Sequence, residues 1–227
     1  MKPRPSSTRD PVWHDTPPTS ERIVTGISRI AAALRAAVWQ FATAQGLNPT
    51  QVEILERLLT RDEGVRLSWL AQQLGVSAAS ASDSIAALVA KGLVQKGPAP
   101  EDGRAIALKL TVEGRKLAER FSEAMSFAFE AIDELPDETQ SALYASLLGV
   151  MGKLQQLERF PEIRACATCK YFEPNAHADE HAPHHCHFVD APLARDLLRL
   201  DCPEHEPAGP AAARRNWKRV SQPAVRS

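Results

Sequence analysis

The four cysteines are the residues best equipped for chemistry, and all of them lie in the last third of the chain. They are spaced as Cys-x2-Cys-x16-Cys-x15-Cys, at Cys166, Cys169, Cys186 and Cys202. A Cys-x2-Cys pair lets two thiolates on one tight turn reach the same metal ion, and four ligands complete a tetrahedral site. In a reducing compartment such a cluster indicates a metal site rather than disulfides.

Three histidines flank the third cysteine in the stretch APHHCHFVD. The sequence therefore leaves open whether all four metal ligands are cysteines. Zinc on the four thiolates is the expected cofactor, and an iron–sulfur cluster on the same four ligands is the alternative. His184, His187 or His205 could replace one cysteine. A catalytic pair between Cys186 and His185 or His187 is the weaker interpretation, because sequence neighbours rarely point at each other. We therefore expect no enzymatic activity.

The composition around the cysteines predicts a small separate module over residues 161–206. Between residues 166 and 206 there are eight acidic and three basic side chains and few aliphatic ones. Such a segment is poorly equipped to fold on an apolar core, so a bound metal would supply folding free energy. The flanking segments, a Pro- and Ser-rich stretch at 1–19 and a basic, Ala-rich stretch at 207–227, are predicted to be disordered.

Residues 20–160 carry apolar stripes at helical spacing. One stripe lies early in this region, and two lie on either side of Pro136. They offer more apolar surface than one small domain can bury, which favours a homodimer. The stripes are Ile23, Ile27, Ile30, Leu34, Val38 and Phe41; Leu117, Phe121, Met125, Ala128 and Ile132; and Leu143, Leu147, Met151, Leu154 and Leu157.

Between these stripes the sequence predicts a helix-turn-helix followed by a hairpin. The stretch SWLAQQLGVSAASASDSIAALVAKGLV has an apolar helix, a turn at Gly75, and a second helix that Ser77 can cap. Two short strands, LVQKG and AIALKL, then flank PAPEDGR, which places Arg104 at the tip of the hairpin.

Three stretches, LAQQLGVS, LVAKGLV and EDGRAIALKLTVEGRKL, resemble the MarR (multiple antibiotic resistance regulator) family over about residues 20–158. The last one is similar to the wing signature of the family, an Asp-x-Arg pair, a strand and Leu-Thr-x-x-Gly. The resemblance implies a mainly α (α+β) fold, a winged helix-turn-helix with flanking dimerisation helices, to which the small metal-stabilised module is appended. It also implies a homodimer that binds a double-stranded DNA operator, a repressor role, and a small-molecule effector.

The resemblance assigns the DNA-binding residues to the second helix, residues 78–91, and to the wing. Arg104 would enter the minor groove with Asp102 orienting it, whereas many family members have Arg where Asp83 stands. Residues 48–111 hold seven basic and seven acidic side chains, so affinity must depend on their placement. The candidate DNA contacts are Ser77, Ser80, Ser82, Asp83, Lys91, Lys96, Asp102 and Arg104, with Ser84 and Arg66 as further candidates.

The net charge of −1 gives no bulk electrostatic reason to bind DNA or a membrane. The N-terminal MKPRPSSTRD lacks the apolar region of a secretory signal, so we expect a cytoplasmic protein. Two mechanisms remain open: an effector that binds between the dimerisation helices and the helix-turn-helix, or the Cys/His module as the sensor. A metalloprotein whose winged helix contacts only other proteins is the alternative from another class.

Overall fold

The computed structural model describes residues 16–99, 102–159 and 163–220, with backbone only at 99 and 102–105. The chain divides into two compact units, Met1–Pro49 and Thr50–Ser227. The winged helix and the cysteine-rich module therefore belong to one unit. Among the described helices, none is long and apolar enough to cross a bilayer.

The first unit contains helix α1, Thr19–Ala44. Its predicted apolar stripe is present, but the N-terminal half of that stripe is exposed, with Ile23 53%, Ile27 41% and Ile30 64% accessible to solvent. Only Ala42 of this helix is buried.

The second unit begins with three short helices: α2 (Pro49–Leu59), α3 (Leu67–Leu74) and α4 (Ala78–Ala90). Gly75 ends α3 in the left-handed conformation, with φ 63°, which glycine adopts without steric cost. The predicted helix-turn-helix is thus confirmed. Its core is aliphatic and consists of Val52, Ile54, Leu55, Leu58, Leu70, Ile85, Leu88, Val94 and Leu108.

The wing is an antiparallel pair, β1 (Val94–Ala99) and β2 (Asp102–Leu110), with Val94 opposite Leu110. Both strands run further towards the tip than the sequence predicts. The register is irregular between Pro98 and Ala99. Val65, before α3, forms a bridge to Leu108 and joins the wing to the helices.

The Leu-Thr-x-x-Gly signature has a structural explanation at the start of α5 (Val112–Ala124). The Thr111 hydroxyl accepts a hydrogen bond from the Gly114 amide at 3.0 Å and donates one to the Gly92 carbonyl at 2.6 Å. A Cβ on Gly114 would lie 1.9 Å from the Leu93 carbonyl oxygen. The signature therefore holds α5 directly against the backbone between α4 and β1.

The helices after the wing differ from the single long helix that the sequence predicts before Pro136. The chain breaks at Met125, and α5 is followed by α6 (Ser126–Asp133) and α7 (Asp137–Gln156). Leu148 of α7 is buried against the C-terminal module of the same chain, while Leu143 and Leu157 are exposed. A partner subunit is therefore not needed to cover this part of α7.

The C-terminal module contains a 3₁₀ turn at Cys166–Thr168 and the small strands β3 (Phe172–Glu173), β4 (His184–Cys186) and β5 (Ala191–Leu193). The strands form one antiparallel sheet in the order β3-β4-β5.

The last described helix, α8 (Pro210–Val220), corrects the predicted disorder of residues 207–227 over its own length. Trp217 is only 2% exposed and packs with Phe172, Leu198 and Leu148. The module therefore has an apolar core, contrary to the prediction from its composition. The prediction missed it because the basic side chains of the segment dominate its composition, yet they lie on the exposed side of α8.

Candidate DNA-binding face and four-cysteine centre

Ser77 fixes the start of helix α4. Its backbone is extended, and its hydroxyl accepts a hydrogen bond from the Ser80 amide at 3.1 Å. The hydroxyls of the two serines lie 2.9 Å apart. The predicted N-cap is confirmed, and these two candidate DNA contacts are held in one local network.

The solvent-facing side of α4 carries the other predicted contacts of this helix. Ala81, Ile85 and Leu88 are buried, which turns Ser82 and Asp83 outwards. We refer to the exposed residues Ser77, Ser80, Ser82 and Asp83 as the α4 face. Ser84 lies at the edge of the α4 face and is half-buried.

Three further candidate DNA contacts are exposed basic residues outside this face. Lys91 is exposed at the C-terminal end of α4, Lys96 is exposed on β1, and Arg66 is exposed just before α3. The backbone places Asp102 and Arg104 in β2, but their side chains lie outside the described residues.

All four cysteines line one cavity of about 120 Å³. We call it the four-cysteine cavity. Its remaining wall is mostly apolar, with Arg199 and Glu204 as the charged exceptions. The apolar lining residues are Tyr171, Phe172, Phe188, Val189, Leu193 and Leu197.

Backbone hydrogen bonds bring the cysteines to this cavity from separate segments. The Cys166 amide donates to the Arg199 carbonyl at 3.0 Å, and the Cys169 amide donates to the Cys166 carbonyl at 3.0 Å. The Cys202 amide donates to the carbonyl of Arg164 at 3.1 Å. Cys186 ends β4, where it pairs in register with Phe172 of β3 and with Ala191 of β5.

The Cys166 thiol shows how closely the four sulfur atoms interact. Burial raises its pKa, the Arg199 amide that donates to its Sγ at 3.2 Å lowers it, and Cys202, Cys186 and Cys169 raise it further. Four thiolates in this setting repel one another, so a positive charge between them would be stabilising.

A single zinc ion would need the four sulfur atoms close together. Zinc binds thiolate sulfur at about 2.3 Å, which brings four sulfurs to about 3.8 Å from one another. Within the part of the chain that the structure describes, no three His, Cys, Asp or Glu side chains are grouped to hold one metal ion. The four cysteines nevertheless line one cavity.

The histidines predicted as substitute ligands do not line the cavity. The His184 Nδ1 accepts from the Asn175 amide at 3.1 Å, and burial lowers the pKa of His184 to about 4. The Nε2 of His187 lies 2.9 Å from Glu173 Oε2, and that of His205 lies 2.9 Å from the Thr168 hydroxyl.

The ring of His185, the other neighbour of Cys186, also points to other groups. Its Nδ1 lies 3.1 Å from His177 Nε2, and its Nε2 lies 3.3 Å from Asp190. Both ring nitrogens of His185 thus lie next to His177 and Asp190, whereas a catalytic pair would require one of them to contact the Cys186 thiol.

Asp201, directly before Cys202, forms a charged contact that the sequence analysis missed. Its carboxylate lies 3.1 Å from Arg61 and 4.0 Å from Arg57, both in or next to α2, and 3.7 Å from Arg164. The guanidinium groups of Arg61 and Arg164 lie 5.4 Å and 5.6 Å from the ring centroid of Trp69 in α3. We call these five residues the Asp201 bridge. No local sequence pattern predicts the Asp201 bridge, because Arg61 and Asp201 are 140 residues apart.

An open groove of about 590 Å³ runs beside this bridge. Arg61 and Arg164 line it together with Arg66, Trp69 and Gln72. It therefore combines cationic and aromatic side chains between the helix-turn-helix and the C-terminal module.

The comparisons with known proteins agree with this fold. The model of the MarR family matches residues 45–105. None of the curated proteins compared with the chain matches it.

Among solved structures, the transcriptional regulator PA3341 has a TM-score of 0.51 and 22% identity, over 59% of this chain and 98% of its own. A MarR transcriptional regulator from Methanosarcina mazei Go1 has a TM-score of 0.49 and 22% identity, over 60% and 99%. CouR from Rhodococcus jostii RHA1, solved with p-coumaroyl-CoA, has a TM-score of 0.48 and 24% identity, over 58% and 92%. Residues 45–105 are thus similar to the MarR family, and 59% of the chain shares its fold with the transcriptional regulator PA3341.

Proposed function

We propose that the protein is a sequence-specific DNA-binding transcriptional regulator that acts as a homodimer and represses its target genes. The observation that carries this proposal is the α4 face, four exposed polar residues on a capped helix beside a two-stranded wing. A helix of this kind fits the major groove, while a wing reaches the neighbouring minor groove.

Exposed basic residues of the same segment support this proposal. Lys91 at the end of α4, Lys96 on β1 and Arg66 before α3 are exposed, in a segment whose total charge is balanced. Phosphate contacts fix the orientation of a protein on DNA, and side chains at base edges select the sequence. In this proposal Asp83 accepts from a cytosine amino group, a role open to a carboxylate at the major groove.

Exposed apolar side chains support the homodimer. On α1, Val24 is 63% and Ile30 is 64% exposed, and on α6 Phe129 is 65% exposed. Large exposed apolar patches on a soluble chain mark interaction surfaces, and a second copy is the simplest partner. Sedimentation should give twice the monomer mass for the wild type and a monomer for I30E. A wild-type monomer at all concentrations would contradict the homodimer.

The DNA-binding function is tested by fluorescence anisotropy with the promoter region upstream of the gene for this protein. The double variant S80E/S82E places two carboxylates on the α4 face and should weaken binding at least about tenfold, through repulsion by phosphate. S141E changes an exposed serine of α7 in the same way and should bind like the wild type.

R104A should also weaken binding if the wing enters the minor groove. Failure of the wild type to bind any duplex in any metal state would overturn the proposal. It would leave a winged helix that contacts only proteins.

The groove beside the Asp201 bridge is our candidate site for a small-molecule effector. Three arginines outnumber the one acidic lining residue, Glu63, and Trp69 adds an aromatic ring. This lining favours an anionic, aromatic compound, because such a compound can pair with guanidinium groups and stack on the indole. An effector in this groove would contact α3 and the C-terminal module together.

The Asp201 bridge favours a second candidate function, in which a metal centre in the four-cysteine cavity senses the state of the cell. Cys202 lines the cavity, and its neighbour Asp201 is paired with Arg61, which lies over Trp69 of the helix-turn-helix. A change at the cavity would therefore reach α3 through two contacts. Anisotropy titrations with and without a chelator test this function, and identical affinities would contradict it.

A further inference from the structure

We propose that the four-cysteine cavity binds an iron–sulfur cluster rather than a single zinc ion. The inference rests on the metal centre of the proposed sensing function and does not depend on whether the chain binds DNA.

The space between the thiols is the first argument. The four cysteines line one cavity of about 120 Å³. In a [4Fe–4S] cluster each thiolate binds a different iron, and in a [2Fe–2S] cluster each iron takes two thiolates. In both clusters an inorganic core lies between the ligands, whereas a zinc ion contacts all four thiolates directly. A cavity walled by thiols is the shape that such a core needs.

The wall between the thiols is the second argument. Six of the eight other lining residues are apolar or aromatic, and Tyr171 packs edge-on against Phe188 with the ring centroids 5.4 Å apart. A wall of this kind limits the access of water to a bound core and lowers the local dielectric constant, both of which tune a cluster. A structural zinc site needs no such space beyond its four ligands.

The surroundings of the sulfurs are the third argument. The backbone amide of Arg199 donates to Cys166 Sγ at 3.2 Å, and hydrogen bonds to sulfur are among the features that set cluster potentials. No histidine is part of the cavity lining, so the ligand set is all thiolate. Pro203 follows Cys202, as proline follows the last cysteine in bacterial ferredoxin runs.

The test is to purify the full chain without oxygen, incubate it with ferric iron, a thiol reductant and sulfide, so that the ferric iron supplies the oxidising equivalents of the cluster, and measure iron, zinc, acid-labile sulfide and the visible spectrum. We expect a brown protein with iron and sulfide in equal amounts, about two or about four of each per chain. About one zinc per chain with no labile sulfide would overturn the cluster but leave a metal centre in place. Uptake of neither metal would overturn both.

Variants identify the ligands. C186S and C202S should lose most of the visible absorbance, while H187A and H205A should keep the wild-type spectrum, because these histidines have partners outside the cavity. Hydrogen exchange at α4 checks that the serine variants retain the winged helix. Full wild-type absorbance in C186S and C202S would contradict the proposal even if the wild type contains iron.

Discussion

The winged helix and the C-terminal module reach their folds by different means. The winged helix buries many aliphatic side chains of its own, with Leu70, Ile85 and Leu88 at or below 2% exposure. The module has strands of at most three residues, and its core depends on Trp217 of α8 and Leu148 of α7. The winged helix is therefore held by its own residues, whereas the module depends on helices on both sides and on whatever fills its cavity.

The largest expected effect is in the module. Trp217→Ala removes the largest fully buried side chain among the described residues and should cost about 3–5 kcal/mol of the free energy of unfolding. Hydrogen exchange should show loss of protection over residues 165–173 and retained protection in α4. An equal loss of protection in both regions would show that the two unfold as one cooperative unit. It would contradict the claim that the winged helix is held by its own residues.

The reciprocal change is Leu88→Ala in the winged helix, at a side chain with 0% exposure. It should cost about 2–5 kcal/mol, since it leaves a cavity between α4 and its neighbours. We expect the amides of α3 and α4 to lose protection while the iron or zinc content stays at the wild-type value. A variant that loses its metal with its winged helix would contradict the independence of the module.

A smaller effect is expected where the wing meets α5. Gly114→Ala places a Cβ against the Leu93 carbonyl and should cost about 1–3 kcal/mol by overpacking. Gly149→Ala is the matched control in α7, because nothing lies within 4 Å of its Cβ, and alanine should stabilise that helix by about 0.5–1 kcal/mol. Urea unfolding curves measure both. Equal effects of the two variants would remove the structural explanation of the Leu-Thr-x-x-Gly signature.

The smallest effect on stability is expected at the Asp201 bridge. Asp201→Asn should cost at most about 1 kcal/mol, because the carboxylate is partly exposed to solvent. The informative measurement is the ratio of DNA affinities with and without chelator, which should move towards one in D201N. Asp196→Asn, an exposed acidic residue nearby in the sequence, is the control and should leave the ratio unchanged. An unchanged ratio in D201N would contradict coupling through the bridge.

Much of the winged helix was predictable because its signals are local. Helical spacing marked the core of α3 and α4, Gly75 marked the turn, and Ser77 marked the cap. The break at Met125 was not predictable, since the apolar spacing continues across it. Helix α8 was missed because its two buried residues are hidden in a basic, Ala-rich segment, and only contact with Phe172 and Leu198 gives them a partner.

The sequence by itself determined the helix-turn-helix, the wing and the identity of the four thiols, because each depends on residue types at short, regular spacing. The tertiary structure decided which groups meet. It brought Cys166, Cys186 and Cys202 to one cavity from segments that are far apart in the sequence. It also placed Asp201 against Arg61. No local spacing predicts this contact, because the two residues are far apart in the sequence. The contact can still form, since the entropic cost of closing a loop grows only slowly with its length.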